Sequence, residues 1–315
     1  MSDAALDQHR VPVCVVDPLG VGDVGPLPVN VELVRWPSPD LARIEMAVVA
    51  DAGRRAFLAA VDQMSGLRVI QSTSAGVDWL AGHVPSGVHV HNARGVYDGP
   101  LAEWVVGAIL ATHRGLLQAR DAQAQAAWRG FVPSGELAGS SVVILGQGSI
   151  GSAIAERIRP FGARVTGVGR SARDGVAGVA DLARLLPDAD VLVNMLPLTR
   201  ATLGLVDARL LAMLPDGALV VNAGRGRTTV TAALLAEVNT GRLRAVLDVT
   251  DPEPLPPDHP LWSLPNVLIT PHLAGDSPRS LARSFMLAGD QIRRYAAGEP
   301  LINEVAPHLL EAIGN

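Results

Sequence analysis

Three short segments hold the side chains best suited to acid–base and anion chemistry: VVNAGRG with Arg225, LDVTDPEPLPPDHPLW with Glu253, and ITPHLAG with His272. An imidazole gives and takes a proton near neutral pH. A guanidinium presents a planar fork that matches a carboxylate, and a carboxylate beside an imidazole orients it and raises its proton affinity. Each segment ends a run of aliphatic residues that predicts a strand, over 218–223, 244–249 and 266–270. Open α/β sheets bind ligands at the carboxyl ends of their strands. His259, in PDHPLW, reads as structural.

A dinucleotide loop is the next feature with chemistry in it. The spacing GxGxxG occurs twice, in LGVGDVGPLP (19–28) and ILGQGSIGSAI (144–154). In the first, Pro26 and Pro28 come directly after Gly25 and remove donors that a helix start would aim at a phosphate, so a surface turn is expected. The second follows SVVIL and opens SIGSAIAERIRPFG, with Ile150, Ile154 and Ile158 on one helical face. There Gly146 allows the tight turn, Gly148 lets backbone approach a pyrophosphate, and Gly151 lets helix and strand pack closely, with Gln147, Ser149 and Ile150 between them. A carboxylate about 20 residues further on would hold an adenine ribose. RVTGVGRSAR offers Gly169 instead, then Arg170, Ser171 and Arg173. Two guanidiniums and a hydroxyl without a carboxylate favour a 2′-phosphate, so NADP is expected over NAD. A solvated basic loop is the rival reading.

The elements that must position these residues alternate in type. Strands are predicted over VPVCVV, VNVELVRW, EMAVVA, LRVI and VHVHN in the first third of the chain, with AGRRAFLAAVDQM as a helix among them. Six more come after them: VVIL, RVTGV, DVLVNML, ALVVNA, RAVLDV and NVLIT, with helices near 150–159, 206–214 and 229–238 and a further helix over 278–297. Residues 101–128 read as one long or broken helix. The pattern is α/β with doubly wound parallel sheets.

Bulk properties narrow the function classes. A length of 315 residues allows two domains, and 48% hydrophobic with 18% charged residues is ordinary for a globular chain. A net charge of −5 without a Lys/Arg run argues against nucleic acid as partner. Cys14, the single cysteine, sits in VPVCVV and reads as a buried strand residue rather than a nucleophile. MSDAALDQHR lacks the basic-then-apolar pattern of an export signal, and no apolar run reaches 18 residues, so no membrane partner and a cytoplasmic location are expected. No metal site is expected.

Taken in order, STSAGVD, LAEWVVGAIL, ELAGSSVVILGQGSIGSAIAERIRPFGARV, NMLPLTRATLGLV, VVNAGRG, LDVTDPEPLPPDHPLW and PHLAG closely resemble the D-2-hydroxyacid dehydrogenase family over nearly the whole chain. The resemblance implies a Rossmann cofactor domain at 97–282 inserted into a flavodoxin-like substrate domain made of 1–96 and 283–315, with the active site in the cleft. It implies an oxidoreductase that moves a hydride between NADPH, or NADH, and C2 of a small 2-oxo or D-2-hydroxy acid, with glyoxylate or hydroxypyruvate as leading substrates. By the same resemblance His272 is the general acid, Glu253 its partner and Arg225 the substrate-binding arginine. The backbone amides around Ser74, Ala75 and Gly76 hold the other end of the substrate carboxylate. Asp248 accepts a hydrogen bond from the nicotinamide carboxamide, and Pro197, Thr199, Ala223, Gly224, His272 and Gly275 complete the cofactor set. A homodimer formed through 101–128 is implied as well, with an intrachain linker helix as the alternative reading of that segment.

Departures from the family pattern bear on substrate choice. Ser74 stands where glycine is common, Trp104 follows Glu103 where histidine is frequent, and NARGVYD puts Arg94 and Tyr97 near the substrate loop. Glu103 and Asp78 have helix-end structural readings, and Arg94 a solvent-facing one. Glu253 speaks against formate oxidation, which pairs the histidine with glutamine. Two alternatives remain: a non-catalytic dinucleotide-sensing protein like the family's corepressors, and a phosphite dehydrogenase-like enzyme, which uses the same Arg, Glu and His.

Overall fold

The computed structural model describes residues 10–20, 22–128 and 135–313. The segment read for an export signal therefore lies, apart from Arg10, outside the described residues. The chain forms two compact units, Met1–Tyr97 with Ser277–Asn315, and Asp98–Asp276.

In the first unit, strands β1 (Val11–Val16), β2 (Val31–Val34), β3 (Met46–Val49), β4 (Val69–Ser72) and β5 (His89–His91) form an all-parallel sheet of order β2-β1-β3-β4-β5. That order is the flavodoxin-like one. Alternate side chains serve opposite faces: Val13, Met46, Val48 and Val69 pack with Ala288 and Ile292, while Cys14, Val16, Ala47, Val49 and Ile70 pack with Phe57, Val61 and Leu80. The helix predicted over AGRRAFLAAVDQM is broken into α1 (Arg54–Leu58) and flanking 3₁₀ turns, because the Ala59 and Ala60 amides bond back to Arg55 and Phe57 and close the helix early. The strand expected over VNVELVRW narrows to β2 for a similar local reason, a turn at 29–30 whose Pro28 carbonyl accepts from the Val31 amide.

The second unit opens with two helices, α2 (Asp98–His113) and α3 (Leu116–Ala124), separated at Gly115, whose φ of 65° no continuous helix can hold. So 101–128 is a broken helix. Seven strands come next: β6 (Ser141–Leu145), β7 (Arg164–Gly169), β8 (Ala177–Gly178), β9 (Val191–Asn194), β10 (Leu219–Asn222), β11 (Arg244–Leu247) and β12 (Val267–Ile269), all parallel in the order β12-β11-β10-β9-β6-β7-β8. The sequence predicted six. The extra strand, β8, is only two residues long and carries no periodicity to read. Helices α4 (Ser149–Ile158), α5 (Leu182–Leu185), α6 (Ala208–Ala212) and α7 (Thr231–Asn239) join the strands. The strand order reverses between β6 and β9, the topological switch point at which doubly wound sheets bind dinucleotides. Val142 and Ile144 pack under α2 and α4, whereas Val143 and Leu145 pack with residues of α5, α6 and α7.

The last helix, α8 (Pro278–Ala296), belongs wholly to the first unit. Ser277 caps it: its hydroxyl accepts from the Ser280 amide at 3.0 Å while the Ser280 hydroxyl accepts from the Ser277 amide at 2.9 Å. The boundary expected between 282 and 283 would cut through this helix; it moves to 276/277, where the cap begins a new element, and the upstream boundary falls after Tyr97.

Candidate active site

The site in the second unit is built from the turns that leave β10, β11 and β12. Asn222 ends β10 fully buried, and its side chain shapes the turn at 223–225: its Oδ1 accepts from the Gly224 amide at 3.1 Å and its Nδ2 donates to the Arg225 carbonyl at 3.3 Å. A Cβ on Gly224 would lie 2.8 Å from the Leu196 carbonyl oxygen, so this turn is pressed against the loop after β9. Thr228 and Thr229 tie it down from behind through Asn194, whose Nδ2 donates to their hydroxyls at 2.8 and 3.2 Å. The half-buried Arg225 leaves this braced turn with Nη1 on the Gly224 carbonyl at 2.8 Å.

Asp248, just past the end of β11, is buried and organises the loop after β12. Its Oδ1 accepts from the Thr270 hydroxyl at 2.6 Å and the Leu273 amide at 2.9 Å, and its Oδ2 from the Ala274 amide at 3.0 Å. The His272 amide donates to the Asp248 carbonyl at 2.8 Å. These bonds hold His272 at φ 52°, a left-handed conformation that costs a non-glycine residue about 1–2 kcal/mol. Its Nδ1 then lies 2.6 Å from Glu253 Oε1.

That short contact sets the electrostatics. The hydrogen bond that Glu253 accepts from His272 lowers its carboxyl below the ordinary range and raises the His272 imidazole above its own, with burial opposing both shifts and the nearby Arg225 charge lowering both. An ionised Glu253 only accepts, so Nδ1 carries a proton and Nε2 is the nitrogen left to exchange one. The arrangement can deliver a proton from Nε2 while a guanidinium stands within electrostatic reach.

The glycine loop lies at the end of β6. Gly146 has φ 98° and a Cβ there would meet the Met195 carbonyl at 2.6 Å; a Cβ on Gly151 would meet the Gly146 carbonyl oxygen at 2.3 Å. Gly148, the N-cap of α4, faces open space instead. Close packing at the outer two glycines and room at the middle one is the shape that a pyrophosphate on a helix N-terminus requires. Ser149 spends its hydroxyl on Asp98 at 3.2 Å, half-buried Ile150 packs towards α2, and Gln147 keeps a buried Oε1 that has no partner among the described residues.

At the end of β7, Arg173 folds back so that its Nη2 donates to the Gln147 carbonyl at 2.7 Å, and a Cβ on Gly169 would lie 2.5 Å from its Nη1. The guanidinium of Arg173 thus lies over Gly169. Arg170 and Ser171 are exposed beside it. After β9, the Pro197 carbonyl accepts from the Thr202 hydroxyl at 2.6 Å and the Thr199 amide donates to the same hydroxyl at 2.8 Å. Ala223 is buried and Gly275 half-buried. These residues fit a nicotinamide dinucleotide: an open N-cap glycine, a helix start and no carboxylate at 169.

In the first unit, Ser74, Ala75 and Gly76 form the turn after β4. The Ser74 amide is turned inward onto the Ser72 hydroxyl at 3.2 Å, a correction to its expected role as an anion donor. The amides of Ala75 and Gly76 have no partner among the described residues. Asn92 braces the turn by donating to the Ala75 carbonyl at 2.7 Å, and the Tyr97 hydroxyl donates to the Thr73 carbonyl at 2.7 Å.

Several other expectations meet their structures here. Asp78 is the first residue of the short 3₁₀ turn 78–80, a helix-end position. His259 accepts from the Leu261 amide at 3.3 Å, a structural cap. Arg94 and Glu103 are exposed, and Trp104 packs against the core between β6 and α2. Burial pushes the Cys14 thiol up to about 12. The first glycine spacing leads into no helix: the Gly25 amide donates to Asp23 and the Pro26 carbonyl is held by Arg293. Asn194 and Asn222 were missed in the sequence, although an asparagine closing an otherwise aliphatic strand (VLVN, LVVN) was the available signal.

Comparison with known proteins gives the family. Residues 106–274 match the family model of the D-isomer specific 2-hydroxyacid dehydrogenase, NAD binding domain. A Mus musculus glyoxylate reductase/hydroxypyruvate reductase is 33% identical over 76% of this chain and 77% of its own. A glyoxylate/hydroxypyruvate reductase A from Klebsiella pneumoniae is 38% identical over 52% of this chain and 54% of its own. Among solved structures, an NADPH-dependent glyoxylate/hydroxypyruvate reductase from Sinorhizobium meliloti, in complex with NADP and sulfate, superposes with a TM-score of 0.80 at 31% identity, covering 94% of this chain and 98% of that one. With a Rossmann unit, a flavodoxin-like unit and a His–Glu pair on the strand ends, the chain belongs to the D-isomer-specific 2-hydroxyacid dehydrogenases, NAD(P)-dependent oxidoreductases.

Proposed function

We propose that this chain is an NADPH-preferring reductase of small 2-oxo acids, with glyoxylate and hydroxypyruvate as its leading substrates. The observation that carries this reading is the 2.6 Å contact between His272 Nδ1 and Glu253 Oε1, close enough to Arg225 for its charge to register on both. When bound, the reduced nicotinamide supplies the hydride. Arg225 binds the substrate carboxylate and polarises the keto oxygen. His272 Nε2 gives its proton to that oxygen as negative charge develops there, and Glu253 stabilises the imidazolium beforehand. Asp248 holds the His272 loop, and both its oxygens already serve the protein, so a carboxamide at this site would take a remaining lone pair.

Gly146 through Gly151 hold the pyrophosphate on the α4 amides, with Pro197, Thr199, Ala223, Gly224, His272 and Gly275 lining the rest. Arg170, Ser171 and Arg173 receive the 2′-phosphate, a reading supported by the absence of any carboxylate at Gly169. Relatives described as glyoxylate and hydroxypyruvate reductases, and neighbours solved with NADP, support both the substrate and the cofactor assignment. A cytoplasmic homodimer goes with this reading; among the described residues no helix is long and apolar enough to cross a membrane, and Leu116 and Trp128, exposed in the α3 region, are candidates for a subunit contact. Sedimentation would measure it.

One panel tests the proposal: a series of 2-oxo acids, each with NADPH and with NADH. Steady turnover with glyoxylate or hydroxypyruvate and a higher kcat/KM for NADPH is expected. A clear NADH preference would remove the 2′-phosphate assignment, and cofactor binding without turnover of any acid would favour the non-catalytic reading. Phosphite with NADP forms a control arm.

A further inference from the structure

Arg54, at the start of α1, has no role in the chemistry described so far, yet it is built into the turn after β4. Its Nη2 donates to the Ser74 hydroxyl at 2.7 Å and to Asp51 Oδ1 at 2.7 Å. Its guanidinium lies 5.4 Å from the centroid of the Trp79 ring, which Phe57 in turn meets edge-on at 6.2 Å. Two neighbouring donors, Arg54 Nε and Trp79 Nε1, are buried without a partner among the described residues. Orphaned buried donors are costly and uncommon, and a neutral side chain could fill this space without them. The Asp51 carboxylate is 63% exposed, so water screens the ion pair and leaves much of the positive charge of Arg54 uncompensated on the side that faces Ser74.

We propose that Arg54 is a positioning residue for substrate binding: through the Ser74 hydroxyl it lends positive charge to the Ala75–Gly76 turn and so fits that turn to an anion, the carboxylate of the 2-oxo acid. The inference rests on the reading of this turn as the second carboxylate anchor. The Ser74 Oγ accepts from Arg54, which directs its own proton away, towards the Gly76 carbonyl at 3.2 Å or the Ser72 hydroxyl at 2.9 Å. The turn is thereby polarised, and the amides of the half-buried Ala75 and Gly76, without a partner among the described residues, are its remaining donors. Ser74 supplies the oxygen through which Arg54 acts; a glycine at that position would leave the turn's backbone in place and sever the link.

The experiment is steady-state kinetics of Arg54→Gln, Arg54→Lys, Ser74→Gly and the Gln/Gly double variant, with glyoxylate and hydroxypyruvate varied at saturating NADPH. Arg54→Gln is expected to raise KM for the acid about ten-fold while kcat and the KM for NADPH stay within about twofold, since an interaction equal in ground and transition states moves KM alone. Lysine should recover part of the loss. Ser74→Gly should reproduce it, and the double variant should be no worse than either single one, because both remove the same link. An unchanged KM in Arg54→Gln with normal wild-type turnover overturns this inference alone. So does strict additivity of the two losses, or a parallel fall in kcat, NADPH binding and melting temperature. A wild-type enzyme that turns over none of the acids takes down the proposed function and this inference with it. Should Arg54→Gln fail to fold, Ser74→Gly decides by itself: a raised KM supports the link and an unchanged one removes it.

Discussion

The two sheets share an architecture and differ at the same edge. Both are parallel and doubly wound, and in both the chain turns sharply at the carboxyl ends of the strands. In the second unit those turns carry a coupled imidazole and carboxylate beside a guanidinium, braced by buried Asn222 and Asp248. In the first, the turn after β4 offers backbone amides with one arginine behind a serine. On the proposed reading, equivalent scaffolds separate two tasks: one edge carries the pair that exchanges the proton, the other holds an anion without any change of protonation. The lesson is that chemistry resides in the loops, and that the strands decide only where the loops begin.

The largest effect expected from breaking this division is at His272. His272→Ala should lower kcat by about 10²–10⁴-fold with NADPH affinity kept, as measured by turnover and by nucleotide titration. Near-normal turnover would mean that the proton comes from elsewhere. Arg225→Ala comes next: kcat/KM should fall by about ten- to a hundred-fold, with KM for the acid up and kcat down, because a charge-assisted contact to the reacting group is lost. If KM does not move, Arg225 does not hold the carboxylate.

Glu253→Gln sharpens the comparison through pH. If His272 is the proton donor as proposed, reduction needs the imidazolium, so its rate should be high below the raised His272 pKa and lost as pH rises through it. Removing the carboxylate removes the main cause of that rise, so the alkaline limb of the reduction profile should move to lower pH. Arg54→Gln, a change at the fixed-charge edge, should leave that limb in place. A limb that stays put in Glu253→Gln would show that the pair does not govern the proton.

The smallest effects separate the two glycine spacings. Gly151→Ala puts a Cβ 2.3 Å from the Gly146 carbonyl oxygen and should cost about 1–3 kcal/mol in urea unfolding while weakening NADPH binding. Gly20→Ala meets no atom within 4 Å; only its φ of 61° resists, at about 1–2 kcal/mol, and NADPH binding should be untouched. Equal loss of nucleotide binding in both would erase the distinction between a cofactor loop and a turn.

Much of this was legible in the residues. Aliphatic runs predicted eleven of the twelve strands, each overlapping its observed place, since a buried parallel strand has few other ways to be written. The prolines after Gly25 and the stripe of Ile150, Ile154 and Ile158 told the glycine spacing that opens a helix from the one that does not, since both signals act over a few neighbouring residues. Less readable were β8, too short for any periodicity, and the early end of α1, where the Ala59 and Ala60 amides bond back to Arg55 and Phe57.

What the sequence determined alone is the inventory and its order: a helix-opening glycine loop, a missing carboxylate at Gly169, and an Arg, a Glu and a His at successive strand ends. What only the tertiary structure decided is contact between residues far apart along the chain: the seating of His272 on Glu253 by Asp248, the inward turn of the Ser74 amide, and the reach of Arg54 to Ser74. The reason is physical. Periodicity and turn chemistry act over a few neighbouring residues, whereas a hydrogen bond between distant segments exists only after the sheets have set the register of the loops that make it.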